Sequence, residues 1–85
     1  MAFDIAYKKS VAKDLAGLGQ AGARRILDKI EKDLPARAGT YPALKGQFSG
    51  LRKLRIGDYR VIYSIDDARR NVDVSAVRHR SEAYR

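Results

Sequence analysis

Apolar and polar positions alternate at the start of the chain. Phe3, Ile5 and Tyr7 are separated by Asp4 and the small Ala6, the period of a short strand over 3–7. The period then lengthens. Ser10 is placed to N-cap a helix, and Val11, Leu15 and Leu18 fall on one helical face. Gly17 and Gly19 bracket Leu18 and mark a break. A second helix is predicted from about Gln20 to Asp33, with Ile26, Ile30 and Leu34 as its apolar stripe, widened by Leu27. So short a break between two helices predicts an αα-hairpin. Pro35 is expected to end the second helix. Residues 35–50 contain both prolines and three glycines and read as a loop.

From Leu51 the pattern becomes that of strands. Leu51–Ile56 and Tyr59–Ile65 flank Gly57-Asp58, a two-residue hairpin turn with glycine where a type II′ turn needs it. Asp66–Asn71 is a polar turn, and Val72–Val77 is a further strand. The predicted order is β-α-α-β-β-β. This is an α+β fold: an N-terminal strand, a two-helix hairpin and an antiparallel three-strand meander, with the helices against one face of a mainly antiparallel sheet.

A two-residue turn sets register. If Ile56 pairs with Tyr59, then Arg55 lies opposite Arg60, Leu54 opposite Val61 and Lys53 opposite Ile62. Leu54, Ile56, Tyr59, Val61, Tyr63 and Ile65 then share the core face, and Lys53, Arg55 and Arg60 share the other. Like charges directly opposite one another destabilise a hairpin, and a bound phosphate would offset that cost. Cations on a solvent-facing strand also serve solubility and edge protection. A site is favoured because residues 45–60 hold Lys45, Arg52, Lys53, Arg55 and Arg60 against one acid, Asp58. Arg78 and Arg80 follow the last strand and reach the same region if that strand pairs with Tyr59–Ile65.

Composition narrows the partners. The 85 residues make one domain over 1–85, with no cysteine for a disulfide, a thiolate nucleophile or a metal thiolate. Eighteen Lys and Arg against ten Asp and Glu leave a net charge of +8, which favours a polyanion partner through counterion release. Met1–Lys9 holds no signal h-region and no apolar run reaches membrane length, so a cytoplasmic location and no membrane partner are expected. His79 is the only histidine, and imidazole is the side chain suited to proton transfer near neutral pH. Tyr84 offers a phenol that stacks on a base or donates a proton. Exposure beside basic neighbours and packing of the chain end are the plainer roles for these two. Asp66-Asp67 lacks metal-site spacing, and Gly46 to Gly50 lacks the GKS or GKT of a phosphate loop.

Leu44-Lys45-Gly46, the run Leu51-Arg52-Lys53-Leu54-Arg55-Ile56-Gly57-Asp58-Tyr59-Arg60-Val61-Ile62-Tyr63, and the ending Val77-Arg78-His79-Arg80-Ser81-Glu82-Ala83-Tyr84 resemble the RelE/ParE toxin superfamily. The resemblance implies a microbial-ribonuclease-like fold and, for the RelE branch, ribosome-dependent cleavage of messenger RNA without metal or cofactor. In that branch the 2′-hydroxyl is the nucleophile and a cyclic phosphate is left. It carries Lys53, Arg55, Arg60, Arg80 and Tyr84 onto the branch's site, with His79 as a further candidate for the leaving-group acid. Lys45, Arg52 and Arg78 join Arg55 and Arg60 as candidates for RNA and phosphate binding. Whether Arg78 or Arg80 matches the branch's catalytic arginine is left open by their spacing. Arg55 stands where some members have lysine; arginine is a poor general base, so base duty falls on Lys53 or on ribosomal RNA. The resemblance also implies a cognate antitoxin as partner, with operator DNA reached only through it. The alternatives are a ParE-like inhibitor of DNA gyrase and a non-catalytic module that binds antitoxin and serves as co-repressor.

Overall fold

The computed structural model describes residues 2–44, 46 and 50–79. Strand β1 (Asp4–Tyr7) leads into helix α1 (Lys9–Ala16) and helix α2 (Gly19–Arg37). A 3-10 turn (Ala38–Thr40) follows, then β2 (Arg52–Ile56), β3 (Tyr59–Asp66) and β4 (Asn71–His79). The strands form one sheet in the order β1-β4-β3-β2. The two pairs in the β2–β4 meander are antiparallel, and β1 lies parallel to β4. The expected α+β architecture is thus present, with a single parallel pairing at the N-terminal edge.

The apolar stripes meet as the periodicity predicts. Val11 and Leu15 of α1 and Ile26, Ile30 and Leu34 of α2 are buried against Leu54, Ile56, Val61, Tyr63, Val72, Val74 and Val77 of the sheet. Leu18, Leu27, Tyr59 and Ile65 pack around this cluster half-buried. The Tyr63 phenol is fully buried and donates to the Ala38 carbonyl at 2.6 Å, tying β3 to the end of α2. Burial pushes its pKa up to about 12, so the hydroxyl remains a donor across the physiological range.

Two helix ends differ from expectation, each for a long-range reason. Helix α1 begins at Lys9 with Lys8 as its N-cap and no side-chain cap bond, so Ser10 lies inside the first turn instead of capping it. The Lys8 N–H bonds to the Val74 carbonyl at 2.9 Å, which keeps the chain extended in β1 until the helix starts. Helix α2 does not stop before Pro35 but continues to Arg37. The proline forfeits one backbone bond. Around it Leu34 and Ala38 are fully buried, and the Pro35 carbonyl accepts the Phe3 N–H at 2.8 Å. Within the segment read as a loop, residues 42–44 pair with the chain at 51–53. Ala43 bridges to Arg52, and the Leu44 N–H to Leu51 carbonyl bond (2.9 Å) and the Lys53 N–H to Pro42 carbonyl bond (3.1 Å) cover the outer edge of β2.

Asp33 anchors that segment. Its carboxylate pairs with Lys29 at 2.9 Å and accepts the Tyr41 hydroxyl at 3.0 Å, while only 8% of the residue is exposed. The bond from Lys29, aided by Tyr41, holds the Asp33 carboxyl below its ordinary value of 3.8 against the opposing effect of burial. A lowered acid pKa means that the unfolded chain binds the proton more readily. The contribution is therefore present above pH 3.8 and is lost as pH falls through the lowered value. Asp33→Asn is expected to flatten this part of the acid limb in urea unfolding followed from pH 6 to pH 2.

Strand β4 carries an irregularity that decides where its end points. Ile62 pairs with Ala76, but Tyr63 pairs with Val74, leaving Ser75 as an extra residue. The core positions shift from Val72 and Val74 to Val77, and Arg78 emerges on the face away from the helices, opposite Arg60. Among the described residues no helix is long and apolar enough to cross a membrane.

Candidate nucleic-acid interface

The β2–β3 hairpin has the register its turn predicts: Ile56 with Tyr59, Arg55 with Arg60, Leu54 with Val61, Lys53 with Ile62. Gly57 has φ +58, and Asp58 is not among the positive-φ residues, so the turn matches the II′ pattern. Helix α2 adds a group the pattern does not show. The Arg25 guanidinium lies beside Gly57, 2.8 Å from where a Cβ would stand. Gly57→Ala would therefore force a left-handed φ on an L-residue and displace Arg25. We expect a loss of about 1–2 kcal/mol in urea unfolding.

Lys53, Arg55 and Arg60 lie on the sheet face away from the helices, with Arg55 exposed and the other two half-buried. The Nε of Arg60 is wholly shielded from solvent, so the stem of that side chain is packed while its residue remains part of the surface. Register extends the row to a third strand, because Arg60 also lies opposite Arg78. Arg55, Arg60 and Arg78 thus stand in line across β2, β3 and β4.

The ends of these side chains do not all stay together. Arg78 reaches around the edge of β4, where its Nη1 meets the Asp14 carboxylate at 2.6 Å and the Val77 carbonyl at 3.3 Å. Arg52, expected among the phosphate ligands, is on the core side of β2 in register with Tyr63. Its Nη1 donates to the Tyr41 carbonyl at 2.7 Å and to the Gly39 carbonyl at 3.4 Å, so it pins the segment after α2 and does not join the row. His79 pairs with Tyr59 on the helix side. Their rings meet edge to face, with centroids 5.3 Å apart and planes at 85°. They line a cavity of about 420 Å³ with Leu18 and Gly17, on the opposite face from Lys53, Arg55 and Arg60. The odd-even alternation of β4 after Ser75 separates His79 from the row. Lys45, Arg80 and Tyr84 lie outside the described residues.

The sheet packs its helices on one face and carries Lys53, Arg55 and Arg60 on the other, and comparison with known proteins gives the family. The family model described as "ParE toxin of type II toxin-antitoxin system, parDE" matches residues 5–84. Toxin RelE of Mycobacterium tuberculosis (strain ATCC 25618 / H37Rv) is 33% identical over 86 residues, covering 98% of this chain and 87% of the relative. The chain belongs to the RelE/ParE superfamily of toxins from type II toxin–antitoxin systems. RelE in the RelE–RelB complex of Pyrococcus horikoshii OT3 shares 31% identity at a TM-score of 0.69, covering 98% of this chain and all of that one. The RelBE2 complex of M. tuberculosis gives a TM-score of 0.87 at 22% identity, covering 93% of this chain and 99% of that one, a likeness of fold.

Proposed function

We propose that this toxin is a metal-independent endoribonuclease of the RelE type that cuts messenger RNA on the ribosome and so stops translation. The observation that carries the reading is the cationic face of the hairpin: Lys53, Arg55 and Arg60 held together by a defined register on a face the core does not use. Such an array binds the scissile phosphate and stabilises the extra negative charge of the transition state. The 2′-oxygen attacks the adjacent phosphorus, the bond to the 5′-oxygen breaks, and the products are a 2′,3′-cyclic phosphate and a 5′-hydroxyl. The proton leaves the 2′-hydroxyl and one is returned to the 5′-oxygen. Arg55 and Arg60 are assigned to the phosphate, since a guanidinium is a poor base and a good bidentate donor. Lys53 is assigned to activation of the 2′-hydroxyl, and Arg80 and Tyr84 to the phosphate and to a stacked base or the proton. Cytoplasmic ribosomes are the site of action on this reading. A cognate antitoxin is the neutralising partner, as RelB partners RelE in the P. horikoshii complex, and operator DNA is reached only through it.

The ParE family match favours a second reading, inhibition of DNA gyrase without RNA chemistry. Induction of the toxin without an antitoxin separates the two. Pulse labels for new protein and new DNA, together with mapping of RNA 5′ ends, are expected to show translation stopping first and new 5′-hydroxyl ends within coding regions. DNA synthesis failing first, with messages intact, would assign the protein to gyrase instead.

A further inference from the structure

Arg25 is exposed on α2, yet its guanidinium lies against the end of the hairpin, with Nη2 2.8 Å and Cζ 3.9 Å from where a Gly57 Cβ would stand. The glycine therefore serves twice: it adopts φ +58, and its missing side chain leaves room for Arg25. Along β2 the cations Lys53 and Arg55 lie two residues apart, and Gly57 is two residues further on. Side chains on one face of a strand repeat about every 7 Å, the scale on which successive phosphates of an extended RNA strand repeat. Arg25 stands in the space of the side chain that residue 57 lacks, and so prolongs the file of cations to the turn. Among the described residues no carboxylate pairs with Arg25, not even Asp58 of the same turn. Arg55 is likewise exposed and has no ion pair among those residues.

We infer that Arg25 is a further phosphate-binding residue, and that a single-stranded RNA held by Lys53, Arg55 and Arg60 runs along β2 toward the hairpin turn and meets Arg25 there. The inference rests on the RNA-binding reading above and adds to it the direction of the strand. A guanidinium already paired with a carboxylate must give up that partner before it binds a phosphate. Arg25 has none to give up, and its fork is suited to a phosphate. It also sets a positive charge beside Asp58, whose carboxylate would otherwise repel RNA at the turn.

The test is equilibrium binding of a fluorescein-labelled single-stranded RNA dodecamer at salt concentrations from about 50 to about 200 mM. Wild type is compared with Arg25→Ala, Arg25→Lys, Arg60→Ala and Lys9→Ala, the last an exposed cation at the start of α1. Each phosphate contact on a single strand contributes about 0.7 to the steepness of log K against log salt. Arg25→Ala is expected to flatten the slope by about that amount and to bind more weakly than wild type at the low-salt end, with the gap narrowing as salt rises. Arg25→Lys keeps the charge and should keep the slope. Lys9→Ala removes the same net charge away from the hairpin and should bind with the wild-type slope. Arg25 is exposed and alanine favours helix, so Arg25→Ala should fold, which urea unfolding checks; Arg25→Gln, which keeps the stem, replaces it if it does not. The inference is overturned if Arg25→Ala leaves the slope unchanged while Arg60→Ala flattens it, because the RNA-binding face would then stand and the strand would leave it another way. It is equally overturned if Lys9→Ala flattens the slope as much, which would make the effect one of net charge, or if Arg25→Lys flattens it too, since a lost charge would then not be the cause. A wild-type slope for Arg60→Ala would instead remove the RNA-binding face itself, and the inference with it.

Discussion

Replacing Arg60 by alanine is expected to slow cleavage of ribosome-bound messenger RNA by roughly 10²–10³, the cost of losing one preorganised donor to a developing anion. The single-turnover rate, followed by primer extension on programmed ribosomes, measures it. Arg60 is the central member of the row, in register with Arg55 on one side and Arg78 on the other. It is also half-buried with its Nε shielded, so alanine gives up stem packing as well as charge. Arg60→Lys separates these contributions. Lysine keeps a cation and most of the stem but loses the planar fork, and its rate should fall between those of alanine and wild type. Both variants should unfold cooperatively. If alanine leaves the rate unchanged while the protein stays folded, Arg60 has no part in the reaction. If alanine abolishes the fold, the residue is structural and the assignment of the face must rest on Arg55, which is exposed.

The hairpin is legible in the sequence because everything that sets it is local. Gly57 and Asp58 fix the turn, and alternation from there sorts Leu54, Ile56, Val61 and Tyr63 from Lys53, Arg55 and Arg60. The helix faces are legible for the same reason. Local pattern cannot supply the groups whose partners lie far along the chain. Lys8 is claimed by Val74 and Pro35 by Phe3, so α1 starts earlier and α2 ends later than capping and proline rules indicate. In the sequence Arg52 is one more cation in a basic run; its role depends on the Gly39 and Tyr41 carbonyls, which the turn after α2 brings over the core side of β2. Asp14 is an ordinary polar position on α1 by its spacing, since Val77 and Arg78 meet it only in the folded chain. The one available signal for the end of β4 is its spacing. Valines two apart at Val72 and Val74 are followed by one three further on at Val77, the mark of an inserted residue in an otherwise regular strand.

Tyr63→Phe is expected to lower the stability of the free toxin by about 1–3 kcal/mol while leaving the cleavage rate of the folded protein near that of wild type. The ring is fully buried, so phenylalanine fills the same volume and only the hydroxyl is lost. That hydroxyl satisfies the Ala38 carbonyl at 2.6 Å, and Ala38 is itself buried, so the carbonyl would be left without this bond in the interior. For a domain of this size each kcal/mol corresponds to about 4–8 °C in melting temperature, which scanning calorimetry resolves easily. Tyr63→Ala removes the ring as well and should cost about 3–5 kcal/mol, a large share of the roughly 5–15 kcal/mol typical of whole domains. The pair of variants thus isolates a single bond between β3 and the end of α2 from the packing around it. Tyr63 shares β3 with Arg60 but points to the opposite face, away from Lys53, Arg55 and Arg60. Its loss should therefore act through the fraction of folded toxin and be restored by any partner that binds the folded state, whereas no stabilising partner should restore the activity lost with Arg60. A Phe variant as stable as wild type would mean that the Ala38 carbonyl finds another donor, and that the tie between sheet and helix rests on packing alone.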